Sequence, residues 1–212
     1  MIYQRWSPGV HDLIESLTCR IRVLSLNQIQ QGWRQQLGPA KAVLETIELL
    51  VKAGLLQGDV WTVQASPVNG RPVCHWSQGD ETPDLVPVHQ LIQERWHHPR
   101  MPTPVVAATH RAARLFGSST GGLPPANHRN HDLLLSEVYL RYRDVLSDTG
   151  VVWVGEDAMT LAERGIKNPD AFLVGNEGEI VRVIESAGKY SISQLESFHK
   201  HCESEQLAYE LW

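Results

Sequence analysis

The chain has 212 residues, 42% hydrophobic and 20% charged, which suits one large or two small soluble domains. No apolar run approaches the roughly 20 residues a membrane-crossing helix needs, and three scattered cysteines without a CxxC pair argue against a disulfide framework or a cysteine-rich zinc site. The net charge of −5 is uneven: residues 1–115 carry 11 Lys/Arg against 9 Asp/Glu (+2), residues 116–212 carry 8 against 15 (−7), so only the first half approaches DNA without general repulsion.

The opening "MIYQRWSPGV" lacks the basic and apolar regions of a signal peptide, so cytoplasm is the expected location. "HDLIESLTCRIRVL" (11–24) reads as a helix. "SLNQIQQGW" (25–33) starts a second, with Ser25 and Gln28 spaced as a capping box. A third follows Gly38-Pro39, with Val43, Ile47, Leu50 and Val51 on its apolar face and Gly54 placed to end it. Residues 60–65 then alternate as a strand, and "RPVCHW" (71–76) is expected to pair back after an Asn69-Gly70 turn. "VHQLIQERW" (88–96) reads as a helix, and "TPVVAATHRAARLFG" (103–117) as a short strand entering another.

"GSSTGGLPPANHRN" (117–130) has no apolar period and reads as a linker. Beyond it come a helix (131–148), a strand "VVWVGED" (151–157) and two strands, "PDAFLVG" and "EIVRVIE", joined by a tight turn. A helix, "SISQLESFHKHC" (191–202), and a final strand, "LAYELW" (207–212), complete an α-β-β-β-α-β order.

If the turn centres on Glu177-Gly178, Gly175 opposes Ile180 and Asp170 opposes Glu185. Opposed residues on one sheet face have Cβ atoms roughly 5 Å apart. Two carboxylates held there repel unless a cation lies between them, and a hard divalent ion with oxygen ligands is the natural answer. Bound Mg²⁺ or Mn²⁺ can polarise a phosphodiester and activate water. The alternative is that one acid is protonated, or that both point into solvent at a frayed hairpin end.

The strand order, Pro169-Asp170 and Glu185 resemble the core of the PD-(D/E)xK nuclease superfamily. The resemblance implies metal held by Asp170 and Glu185, and a lysine two residues after the second acid. That position is Ala187; Lys189 and Lys167 are the nearby lysines. Glu156, ending the first strand, is a candidate third metal ligand, and Glu137 a candidate helix-borne acid. Three helices followed by a hairpin resemble a winged helix-turn-helix, as does "LLVKAGLL" (49–56) at the junction of helix and wing. The expected fold is therefore α+β. Residues 1–116 form a winged helix, 117–130 a linker, and 131–212 a restriction-endonuclease-like domain.

A narrower resemblance, over roughly residues 10–212, is to the replication-relaxation family of plasmids and integrative elements. It rests on a winged helix, a linker, His131-Asp132-Leu133 opening a helix, a strand ending in Glu156, Pro169-Asp170-Ala171 and a strand ending in Glu185. In that family the nuclease-like domain often lacks the standard lysine.

The resemblances imply a mobile-element DNA-binding protein with a weakly active or inactive nuclease-like domain. The alternatives are a Mg²⁺-dependent endonuclease using Asp170, Glu185 and Lys189, or a protein-interaction adaptor. DNA contact is expected from Gln28, Gln31, Arg34, Gln35, Lys41 and Lys52, with Arg71 at the wing tip, although Glu45 and Glu48 weaken the third helix as a phosphate surface. A protein partner from a replication, transfer or transposition machinery fits the same reading. The acidic second half leaves room for a homodimer. The densest histidine clusters, "HH" at 97–98 and "HKHC" at 199–202, do not have zinc-site spacing. His128 and His131 flank the linker end, and His131 is expected to start a helix or pack.

Overall fold

The computed structural model describes residues 6–64, 70–146, 148–158 and 168–212. In chain order the elements are α1 (Pro8–Glu15), extended by a π-helical turn (Ser16–Arg20), β1 (Leu24–Ser25), α2 (Leu26–Gly32), α3 (Arg34–Leu37), α4 (Ala40–Lys52), β2 (Leu56–Gln64) and β3 (Cys74–Trp76). Next come α5 (Leu85–Glu94) with a 3-10 turn (Arg95–His97), β4 (Arg100–Ala108), α6 (His110–Leu115), a 3-10 turn (Ala126–His128) and α7 (Arg129–Leu146). The chain closes with β5 (Val152–Gly155), a 3-10 turn (Glu156–Ala158), β6 (Ala171–Val174), β7 (Ile180–Glu185), α8 (Ile192–Ser204) and β8 (Tyr209–Leu211). The protein is α+β. Among the described residues no helix is long and apolar enough to cross a membrane.

The chain divides into two compact units, residues 1–63 with 101–140, and residues 64–100 with 141–212. This differs from a break at 117–130. Leu123, within that stretch, packs on the first unit's core, and the Gly122 N–H donates to the Ala108 carbonyl at 2.8 Å. Gly, Ser and Pro removed the apolar period there, but one leucine and backbone hydrogen bonds were enough to hold the segment down.

In the first unit the capping box of α2 forms, Ser25 Oγ accepting from the Gln28 N–H and Gln28 Oε1 from the Ser25 N–H. α4 buries Val43, Ile47 and Leu50, and Gly54, at φ +67°, turns the chain out of it. Val51, expected inside, is exposed. Its strands form a sheet in the order β1-β4-β2, over a core of Val23, Trp61, Val63 and Val105.

The expected hairpin between 60–65 and 71–76 is therefore corrected: β2 neighbours β4, and β3 lies in the other unit's sheet. Alternation marks 60–65 as a strand, because side chains on a strand alternate faces, and the Asn69-Gly70 turn signal suggests 71–76 as its partner. Alternation carries no information on which partner a strand finds. Asn69, in the expected turn, lies outside the described residues.

The second unit holds a five-stranded sheet, β3-β8-β7-β6-β5. β5, β6 and β7 are successively antiparallel, while β8 runs parallel to β7, reached through the α8 crossover. One sheet face carries Cys74, Trp76, Val183, Tyr209 and Leu211 against Leu85, Val88 and Ile92 of α5 and Leu195 and Cys202 of α8. Each fully buried leucine in such a layer contributes about 1.5–3 kcal/mol. In the other direction Glu210 accepts hydrogen bonds from Arg182 (2.7 Å), Trp212 (2.9 Å) and Tyr142.

The same layer fixes the thiols. Burial, and then the charge of Glu185, pushes the Cys202 thiol up to about 12, and burial raises that of Cys74. Only thiolates react with disulfide reagents. Ellman's reagent is expected to titrate one thiol, the half-buried Cys19, in the native protein and all three after denaturation. Rapid reaction of three native thiols would contradict a closed sheet–α8 layer.

Candidate functional site

The β6–β7 hairpin sets the site. Ala171 pairs with Ile184, Phe172 with Val183 and Leu173 with Arg182, so the register puts Asp170 and Glu185 at adjoining hairpin ends, as the sequence predicts. Nearer the turn the register shifts by one, and Val174 pairs with Ile180. The Gly175 N–H donates to the Glu179 carbonyl at 2.9 Å, which corrects the expected Gly175–Ile180 pairing. Gly178, at φ +84°, supplies the left-handed residue this bulged turn needs.

Both acids are buried, each 1% exposed. Asp170 Oδ2 accepts from the Ser186 N–H at 2.7 Å, and the Asp170 carbonyl accepts from the Glu156 N–H at 3.1 Å. Glu185 lines a cavity of about 510 Å³ between the sheet and α8, together with Pro169, Tyr190, Gln194, Ser197 and His201. The half-buried Glu156 begins the 3-10 turn after β5. Of these acids only Glu185 lines that space, and among the described residues Glu156, Asp170 and Glu185 do not form a close-set group of three metal ligands; were a hard ion such as Mg²⁺ or Mn²⁺ bound at this hairpin end, Asp170 and Glu185 would hold it. Such an ion polarises a phosphoryl oxygen and activates water.

Beyond Glu185 the strand end turns inward. Ala187, at the position where the superfamily resemblance implies lysine, has φ +56° and is fully buried in the α5/α8 layer. The segment is stapled by three side chains: Arg95 Nη1 donates to the Ser186 carbonyl (3.2 Å), Trp96 Nε1 to Gly188 (3.0 Å) and Gln93 Nε2 to Tyr190 (3.3 Å). Lys189 is exposed, its ammonium 5.5 Å from the centre of the Trp96 ring. Lys167 lies outside the described residues.

Sequence reasoning missed Arg95 and the inward turn of Ala187. Arg95 is 9% exposed, burial lowers its value to about 10, and its Nη2 has no hydrogen-bond partner among the described residues. No periodicity marks an arginine that will be buried, and no spacing reports the sign of φ.

The candidate DNA contacts separate. Gln28 is buried, its amide donating to the Leu133 carbonyl (3.0 Å) and to Glu137 (3.4 Å), so it is corrected to a structural residue. Glu137 lies in the first unit, while Asp170 and Glu185 lie in the second. Gln31, Arg34, Gln35, Lys41 and Lys52 are exposed on the first unit, with Lys41 3.9 Å from Glu45. Arg71 is exposed but belongs to the second unit, because its strand joined the other sheet.

No family model matches the chain, and comparison with curated proteins and with solved structures gives no match.

Proposed function

We propose that the protein is a DNA-binding protein of plasmids or other mobile elements, with a winged-helix first unit and a PD-(D/E)xK-like second unit whose nuclease centre is weakly active or silent. Supporting the first part, helices α1, α2 and α4 precede two paired strands, β2 and β4, the second reached by an excursion through residues 65–99. The β5-β6-β7-α8-β8 run supports the second. The observation that carries the conclusion is Ala187. A buried pair of carboxylates is followed by a residue turned into the core, so a charge-stabilising lysine has no place there.

A second reading is favoured by the outward face of α4. Leu49 is 66% exposed, Leu44 and Val51 are exposed at the opposite edge of that face, and Lys41, Glu45, Glu48 and Lys52 lie between them. That mix suits a protein partner better than a phosphate backbone. Supercoiled plasmid incubated with Mg²⁺ or Mn²⁺, together with a gel-shift series in rising salt, distinguishes the readings. The proposal predicts a salt-sensitive shift, little or no nicking, and the same shift from Asp170→Ala. Efficient nicking lost in Asp170→Ala would establish the endonuclease instead. Absence of any shift at low salt would leave the adaptor.

A further inference from the structure

α7 begins earlier than its sequence suggests. The 3-10 turn Ala126–His128 runs directly into Arg129, so His128, His131 and Asp132 stand at i, i+3 and i+4 on one helical face. A ring nitrogen of each histidine and a carboxylate oxygen of Asp132 all lie within 4.8 Å of one another. The two imidazoles meet edge to face, 6.1 Å between centroids. Asp132 is 3% exposed. Its Oδ1 lies 2.9 Å from His131 Nδ1, but its Oδ2 is buried with no hydrogen-bond partner among the described residues.

A buried carboxylate oxygen without a donor is costly, and a cation is the direct way to satisfy it. The adjacent Arg129 does not serve, since its guanidinium lies over the Trp61 ring (4.8 Å) and 3.8 Å from Asp59. We propose that His128, His131 and Asp132 bind one divalent transition-metal ion of the zinc class. Two imidazoles and a carboxylate select zinc, cobalt or nickel over magnesium or calcium. Ligand atoms around a tetrahedral ion stand about 3.4 Å apart, given metal–ligand bonds of about 2.1 Å, so the rings need close by little more than an ångström. Both histidines are half-buried, which leaves the ion a route in. Three protein ligands leave a fourth position for water or a further ligand.

The site belongs to the first unit and is independent of the Asp170–Glu185 reading. The test is zinc titration of the full chain by calorimetry, with cobalt followed by its visible absorption. Wild type is compared with His128→Ala, His131→Ala, Asp132→Asn and the double variant Asp170→Ala/Glu185→Ala. One equivalent is expected to bind in wild type and in the double variant, at least ~10-fold more weakly in each single variant. His128 is half-buried at the helix start, so His128→Ala decides the matter should Asp132→Asn not fold. No saturable binding, or binding unchanged in His128→Ala, overturns the proposal. Loss confined to the double variant would move the metal to the other unit and overturn it equally.

Discussion

Ala187→Lys, the substitution that would complete the spacing the superfamily resemblance implies, is expected to destabilise the second unit by on the order of 4 kcal/mol and to confer no plasmid nicking. Ala187 is fully buried among Val183, Leu195 and Tyr209. A lysine there either buries an unpaired ammonium or expels itself by unfolding the segment that Arg95, Trp96 and Gln93 hold, and an uncompensated buried charge costs about 3–5 kcal/mol. Crowding a filled core adds about 1–3 kcal/mol. Urea denaturation followed by tryptophan fluorescence reads the loss. A stable Ala187→Lys protein that cuts plasmid in Mg²⁺ would show that the position faces the carboxylates, and would remove the main support for a silent centre.

Glu210→Ala is expected to cost about 3 kcal/mol, lowering the melting temperature by roughly 6–12 °C for a chain of this size. Glu210 is the shared acceptor for Arg182, Tyr142 and Trp212, and it is nearly buried. Its removal leaves three donors unmet in one stroke. A change below about 1 kcal/mol would mean that water replaces the carboxylate without penalty.

The same cluster sets an alkaline limit. Burial raises the Tyr142 phenol above its ordinary value, and the hydrogen bond and charge of Glu210 raise it further, against a smaller opposing effect of Arg182. A proton held more tightly in the folded state stabilises fully below the unfolded tyrosine value, about 10, and that stability is lost as pH rises past it. Melting temperature should therefore fall above about pH 10, and fall less in Tyr142→Phe. Comparison with Tyr142→Phe separates this effect from Arg95, whose lowered value works in the opposite sense.

Local signals were read well where the physics is local. The Ser25–Gln28 capping box, the apolar stripe of α4, the Gly54 stop and the hairpin that places Asp170 opposite Glu185 all depend on residues within a few positions of one another, and the sequence determined them. The α8 cap is equally local but was not singled out in the sequence: Ser191 Oγ accepts from the Gln194 N–H and Gln194 Oε1 from the Ser191 N–H.

Long-range pairing was decided by the tertiary structure. β2 finds β4 across the excursion through residues 65–99, and β3 finds β8 at the far end of the chain, because alternation specifies a buried face without naming the strand beside it. His128 joins His131 and Asp132 only because a 3-10 turn extends α7 backward into a stretch that reads as linker. Alanine stands at 187, where the superfamily resemblance implies lysine, and the structure turns that residue inward. Ala187 takes a left-handed conformation into a filled core, where a charged side chain has neither solvent nor partner.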